Sequence, residues 1–212
     1  MPRRSTNTRE RIIRAATELF YAQGYERTGM AEILKKARAN SGSFYFFFRS
    51  KEDLLLAVLD WYLANLEPIL IRPIYEQSSD PVERIFLLLD GYRQKVLMTD
   101  FDFSCPIGRL ALEIDPAKRK VQQKIAANFN GWTEAVRKCL EAAADRFPAG
   151  TDHEQLARLV LTVMEGAVMQ ARTHRNIGHF DASIAQLKNY FEYLQAKAGP
   201  GNPTPGSKRR TS

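Results

Sequence analysis

Cys105 is the side chain best placed for covalent chemistry. It lies in Ser104-Cys105-Pro106-Ile107-Gly108-Arg109-Leu110-Ala111-Leu112-Glu113, at an expected loop-to-helix junction. Backbone N–H groups left free at such a junction favour the thiolate and lower the thiol pKa. Two roles fit the position: a sensor thiol, or a buried structural thiol. Cys139, mid-helix beside Leu140, reads as core. Two cysteines make no disulfide framework, which suits a reducing cytoplasm. The three histidines, His153, His174 and His179, form no Ser/His/Asp or Cys/His pattern and match no metal-ligand spacing. HExxH, P-loop and GxGxxG signatures are absent. The expectation is therefore a protein that is not an enzyme and carries no metal and no cofactor. Trp61, Tyr62, Tyr92, Phe129 and Trp132, together with Cys105, are the candidate lining of an effector pocket, and the same spacing also suits plain core.

A second kind of chemistry is nucleic-acid recognition, and it sits in Gly29 to Phe48, GMAEILKKARANSGSFYFFF. Met30, Ile33, Leu34 and Ala37 recur at helical spacing, with Thr28 as the expected N-cap. Arg38 to Asn40 breaks this helix, and Asn40 caps a second one from Ser41 to about Phe48. Two short helices about a tight turn make a helix-turn-helix, whose second helix enters the DNA major groove. At 100° per residue, Phe44, Phe47 and Phe48 face a core while Tyr45 and Phe46 lean outward. A phenol there suits a phosphate, and a phenyl ring suits a thymine methyl or a sugar. The second helix has no Arg, Asn or Gln for bidentate base reading, so DNA shape and apolar contact gain weight. Charge agrees with this placement. Residues 1–51 hold 11 Lys/Arg and 4 Asp/Glu, while the rest of the chain holds 20 of each. The whole net charge of +7 therefore surrounds the motif, as a phosphate-binding surface requires.

Thr28, Asn40-x-Gly42-x-x-Tyr45-x-x-Phe48 and Lys51-Glu52-x-Leu54 resemble the TetR family of transcriptional regulators. Ala15-Ala16-x-x-Leu19-Phe20-x-x-x-Gly24-Tyr25 resembles that family's first helix. The likeness is specific over about Thr8 to Leu59. Arg38 stands where the family usually has a turn glycine, Ala39 where it has valine, and Gly29 where Thr or Ser is common. The resemblance implies that Thr28, Ser41, Gly42, Ser43, Tyr45, Phe46 and Lys51 contact DNA, Lys51 at a phosphate. It also implies a homodimer on a palindromic operator and an unknown small-molecule effector. A subset of the family with a similar Cys-x-x-Gly-x-x-x-x-Glu stretch resembles sensors of electrophiles or oxidants.

The remaining elements position these groups. Residues 1–7 read as a mobile arm bearing Arg3 and Arg4. Asn7 and Glu10 have capping-box spacing ahead of a helix from Thr8 to Gln23 with Ile12, Ala16, Leu19 and Phe20 on one stripe. Ser50-x-x-Asp53 opens a helix that Pro68 and Pro73 should kink or end. Asp80-Pro81-x-Glu83, Asp115-Pro116, Asp152 and Asp181 open further helices, and Pro106 to Ile114 is a short one. The expected fold is all-α, about nine helices. A three-helix reading domain (1–50, motif 29–48) precedes an effector-binding and dimerisation domain (51–198) and a disordered tail (199–212). Val160, Met164, Ala167, Leu187 and Phe191 on the last two helices are the expected dimer contacts, with a thick monomeric core as the alternative. No uninterrupted apolar run approaches the ~18 residues of a membrane span, so a cytoplasmic protein with no membrane partner is expected. A ligand-independent DNA-binding protein, or an all-α enzyme, would share these patterns.

Overall fold

The computed structural model describes residues 3–198, with side chains from Asn7 onward. Among them there is no strand. Ten α-helices follow in order: α1 Arg3–Gln23, α2 Met30–Ala37, α3 Ser41–Phe47, α4 Lys51–Asn65, α5 Arg72–Gln77, α6 Pro81–Met98, α7 Pro106–Glu113, α8 Arg119–Ala142, α9 His153–His174 and α10 Gly178–Ala198. A π-helical segment, Leu66–Ile71, joins α4 to α5 without a break, so the ten make nine helical rods among the described residues. The expected tail lies outside the described residues.

Caps start the helices where polar side chains face the free amides. Ser50 Oγ accepts from Asp53 N at 3.1 Å, and Asp53 Oδ2 accepts from Arg49 N at 3.0 Å. Asp80 Oδ1 accepts from Val82 N at 2.8 Å and Glu83 N at 3.0 Å, with Pro81 at the first helical position. Asp152 Oδ1 accepts from Gln155 N at 3.0 Å. Each such cap is worth about 1 kcal/mol.

Several expected boundaries move. α1 begins at Arg3, so residues 3–7 of the expected arm are helical and no capping box forms at Asn7. Inside a helix the amides are already bonded, and Asn7 Oδ1 instead accepts from Arg11 Nη1 at 3.2 Å. Pro68 and Pro73 do not break the rod: Pro68 lies in the π-helical segment and Pro73 near the start of α5. The resulting path Lys51–Gln77, contrary to the expectation that no segment approaches a membrane span, is long and apolar enough to cross a bilayer by length and composition. Its Leu54, Leu55, Val58 and Leu59 are nevertheless fully buried, and its Asp60 pairs with Lys124. α8 starts at Arg119, since Asp115 Oδ1 accepts from Ala117 N at 2.8 Å and makes a turn. α10 starts at Gly178, whose amide donates to Asn176 Oδ1 at 2.8 Å.

By internal contacts the chain forms two units rather than two consecutive segments. One holds residues up to Leu70 together with Cys105–Gly131; the other holds Ile71–Ser104 together with the residues from Trp132 on. In the first, α1 packs on α2, α3 and α4. Its core joins Ile12, Ala16, Phe20, Ile33, Phe44, Phe48, Leu54 and Val58 to Leu110, Ile114, Val121 and Ile125 of α7 and α8. In the second, α9 packs on α6 and α10.

Candidate nucleic-acid interface

The α2–α3 turn is set by its backbone. Arg38 takes the left-handed conformation (φ 50°, ψ 49°), and Ala39 N returns to Leu34 O at 3.0 Å. That conformation costs a residue with a Cβ about 1–2 kcal/mol. Arg11 offsets part of it, donating Nε to Ala37 O at 3.0 Å and Nη2 to Arg38 O at 3.4 Å. Asn40 Oδ1 then accepts from Ser43 N at 2.8 Å and starts α3.

α3 and its C-cap Phe48 are too short to hide five aromatic rings. Phe44 and Phe48 are buried, with ring centroids 5.6 Å apart, and Phe47 is half-buried against the same core. Tyr45 and Phe46 remain 68% and 78% exposed. Ser41 and Gly42 are exposed beside them and Ser43 is half-buried. A Cβ on Gly42 would meet only Asn40 Oδ1, at 3.5 Å. The chain itself does not demand glycine there. This exposed edge is a small, hydroxyl-bearing and aromatic surface on a helix thin enough for a DNA groove.

Two expected contacts behave differently. Thr28 is 1% exposed, and its hydroxyl donates to Gly24 O at 2.6 Å. Gly29, not Thr28, is the N-cap of α2, so the Thr28 side chain is a buried brace rather than a DNA contact or a cap. Lys51 is half-buried, its Nζ 4.3 Å from the Tyr25 ring centroid and 3.4 Å from Glu26 O. Burial, and then Lys118, lower its pKa against the raising influence of Glu26. Its ammonium faces the protein in this state. Arg27, Lys35, Arg38 and Arg49 are exposed cations of the same region, outside the expected DNA contacts. Exposure, which spacing does not report, distinguishes them.

The expected effector residues divide between the units. In the first, Trp61 and Tyr62 are half-buried, ring centroids 5.5 Å apart, and Cys105 is buried at the N-cap of α7. Burial, then the Cys105 and Tyr21 charges, push the Tyr62 phenol up. Phe129 packs partly buried on the same core. In the second, Tyr92 stands edge-on to Trp132 at 6.4 Å and to Phe103 at 5.9 Å. Trp132 is buried, and its Nε1 has no hydrogen-bond partner among the described residues. A separate open cleft of about 550 Å³ lies between α6 and α10, lined by Phe86, Arg93, Phe180, Asp181, Lys188 and Phe191 among others. None of the expected effector residues lines it. Cys139 is buried 3.6 Å from the Tyr75 hydroxyl, and burial pushes its thiol up, as suits a core residue. His174 and His179 stack at 4.2 Å, and no group of three or more potential metal ligands occurs among the described residues.

The expected dimer contacts are corrected by burial. Val160, Met164, Ala167, Leu187 and Phe191 are all 4% exposed or less within a single chain. They form the seam between α9, α10 and their neighbours, Phe191 lying edge-on to Phe86 at 5.4 Å and Phe147 at 5.9 Å. The side chains these helices turn outward are Leu159, Met169, Tyr190 and Tyr193.

Comparison with known proteins agrees with this geometry. The family model for bacterial regulatory proteins of the tetR family matches residues 12–58. The model for the C-terminal domain of LmrA/YxaF-like transcriptional regulators matches residues 81–186. The chain is 34% identical over 176 residues to the uncharacterized HTH-type transcriptional regulator YxaF of Bacillus subtilis, covering 80% of this chain and 87% of that one. It is 25% identical over 173 residues to the HTH-type transcriptional repressor DhaR of a Mycobacterium species, covering 81% and 85%. Among solved structures, the reduced form of Escherichia coli NemR superposes with a TM-score of 0.73 at 25% identity, covering 86% of this chain and 96% of that one.

Proposed function

Because the chain belongs to the tetR family of helix-turn-helix transcriptional regulators, we propose that it acts as a homodimeric repressor, released from a palindromic operator by an effector. The exposed Tyr45–Phe46 edge of α3 carries this reading. Two large aromatic side chains left in water on a seven-residue helix, beside Ser41 and Gly42, need an outside partner. Duplex DNA supplies phosphates for the hydroxyls and thymine methyls for the rings. Arg27, Lys35, Arg38 and Arg49 supply the phosphate contacts, and Lys51 joins them if DNA draws it off Tyr25. Residues 1–50 form the reading head, and residues 51–198 carry dimerisation and effector response.

The dimer forms through the outward faces of α9 and α10, around Leu159, Met169, Tyr190 and Tyr193. Such a pairing makes an intermolecular four-helix bundle and sets two recognition helices ~34 Å apart, one per major groove. DhaR, named a repressor, supports the sign of control. The effector enters near Trp132, where the buried indole N–H favours a ligand with a hydrogen-bond acceptor. Cys105 offers a covalent route, and the likeness to NemR, described in a reduced form, favours thiol control. Effector binding shifts the population of head positions by moving α4, which only three residues separate from α3. The protein works in the cytoplasm without a membrane partner.

Selection of bound duplexes from a randomised pool tests the reading. The expected outcome is a two-fold symmetric site with half-sites one helical turn apart, whose complex dissociates on titration with thiol reagents or small apolar ligands. Cys105→Ser should abolish the first response and spare the second. A pool that never enriches would contradict the reading.

A further inference from the structure

Two charged side chains of α7 reach the backbone of the α1–α2 turn. Glu113 Oε2 accepts from the Tyr25 amide at 2.8 Å, and its Oε1 accepts from Arg109 Nε at 2.7 Å. Arg109 Nη1 donates to the Tyr21 carbonyl at 2.7 Å. Both side chains are about three-quarters buried, exposed by only 26% and 25%. Gly24 lies between the two backbone contacts at φ +92°. A Cβ there would stand 2.7 Å from Glu113 Oε1 and 3.0 Å from Arg109 Nη2. Glycine therefore serves both the left-handed turn and the close approach of the charge pair.

The segment after α7 grips the same turn. Lys118 pairs with Glu52 at 3.2 Å, and its Nζ lies 5.5 Å from the centroid of the Tyr25 ring, the ring that also holds Lys51. At its other end α7 starts from Cys105, whose carbonyl accepts from Arg109 N at 2.9 Å. Cys105 and Arg109 thus share one helical turn, and Leu110 and Ile114 anchor the helix in the core. A half-buried charge pair depends sharply on alignment: a small shift leaves both charges desolvated and unpaired. An apolar contact in the same place would slide and tolerate the shift.

We propose that Arg109 and Glu113 are positioning residues for DNA reading. They fix the α1–α2 turn to α7, so a displacement of the first turn of α7 at Cys105 passes to the reading head without travelling through α4. The inference rests on the regulator reading and adds to it a second route of control. It accounts for the charged pair and for glycine at position 24, neither of which DNA binding itself requires.

A double-mutant cycle on the full-length protein tests it. Cys105→Met enlarges the side chain at the start of α7, and Glu113→Ala breaks the pair. Two quantities are read on the wild type, each single variant and the double: amide hydrogen exchange of residues 20–30 in the free protein, and affinity for the selected operator. Cys105→Met should speed exchange and weaken operator binding by about fivefold in the wild-type background, and by less than about twofold beside Glu113→Ala. Glu113→Gln keeps an acceptor for the Tyr25 amide but turns an N–H group toward Arg109 Nε, and should restore only a minor part of the coupling. If Glu113→Ala does not fold, Arg109→Gln takes its place in the cycle. Equal effects of Cys105→Met in both backgrounds, or no effect in the wild type, would overturn the proposal. Coupled exchange without any specific operator would uphold the latch and remove the regulator reading. Specific operator binding with additive substitutions would keep the regulator and remove the latch.

Discussion

The outer edge of α3 and the seam between α9 and α10 treat large apolar side chains in opposite ways. α3 leaves Tyr45 and Phe46 in water, while α9 and α10 bury Val160, Met164, Leu187 and Phe191 almost completely. Both stretches look apolar in the sequence. The difference is geometric. A helix of seven residues presents one narrow stripe to its core, so surplus aromatics must point outward. Helices of 22 and 21 residues wrap a wide seam that covers most of theirs and leave only Leu159, Met169, Tyr190 and Tyr193 outward among their large apolar side chains. Apolarity alone therefore does not mark an interface; apolar surface that the chain fails to cover does.

Substitutions on either side of that contrast should separate folding from recognition. Phe191→Ala empties a site between Phe86 and Phe147 and should cost about 3–5 kcal/mol of unfolding free energy in a urea titration. Next comes the outward face of the same helix: Tyr193→Glu should weaken self-association by about 2–5 kcal/mol in sedimentation equilibrium while leaving the monomer folded. If Tyr193→Glu unfolds the protein and Phe191→Ala only dissociates it, the assignment of inner and outer faces is inverted.

On α3 the balance reverses. Phe46→Ala should change stability by no more than about 0.5 kcal/mol, yet lower operator affinity roughly tenfold, about 1.4 kcal/mol. Arg38→Gly relieves the left-handed turn and should raise stability by up to about 1 kcal/mol, seen as a higher Tm. The smallest effect concerns acid. The Glu83 amide and Arg146 hold the Asp80 carboxyl below its usual value of 3.8, and Arg93 does the same for Asp181. Since both folded values are depressed, their stabilisation is complete above the usual value and is lost as pH falls through the folded one. The pairs are partly exposed, so solvent screening keeps the contribution modest. Arg93→Gln should narrow the gap between urea midpoints at about pH 6 and about pH 3.

Local signals in the sequence suffice where a helix start depends on its neighbours alone. Ser50, Asp80 and Asp152 stand where the expected caps do, because capping depends on a few adjacent residues. The absence of glycine at position 38 signalled the strained turn, and helical angles sorted Phe44 and Phe48 from Tyr45 and Phe46. What the sequence could not convey was tertiary. Thr28 looked like a cap until the fold turned its hydroxyl to Gly24. The dimer stripe became an internal seam once α6 and α10 packed on α9. Glu113 and Tyr25 are 88 residues apart, and no local pattern pairs them. Glu113 appeared only as the last letter of the cysteine motif, with no role attached.

The central claim is that α3 reads specific DNA through its exposed aromatic edge. The most direct measurement is a fluorescence-anisotropy titration of the selected operator against a scrambled duplex of equal length, at two salt concentrations, for wild type and for Phe46→Ala. The account predicts tight binding of wild type to the operator, a preference over the scrambled duplex that survives at the higher salt, and loss of that preference in Phe46→Ala. Equal, steeply salt-dependent binding of both duplexes by both proteins would contradict it, leaving only the basic charge of residues 1–51 to account for DNA affinity.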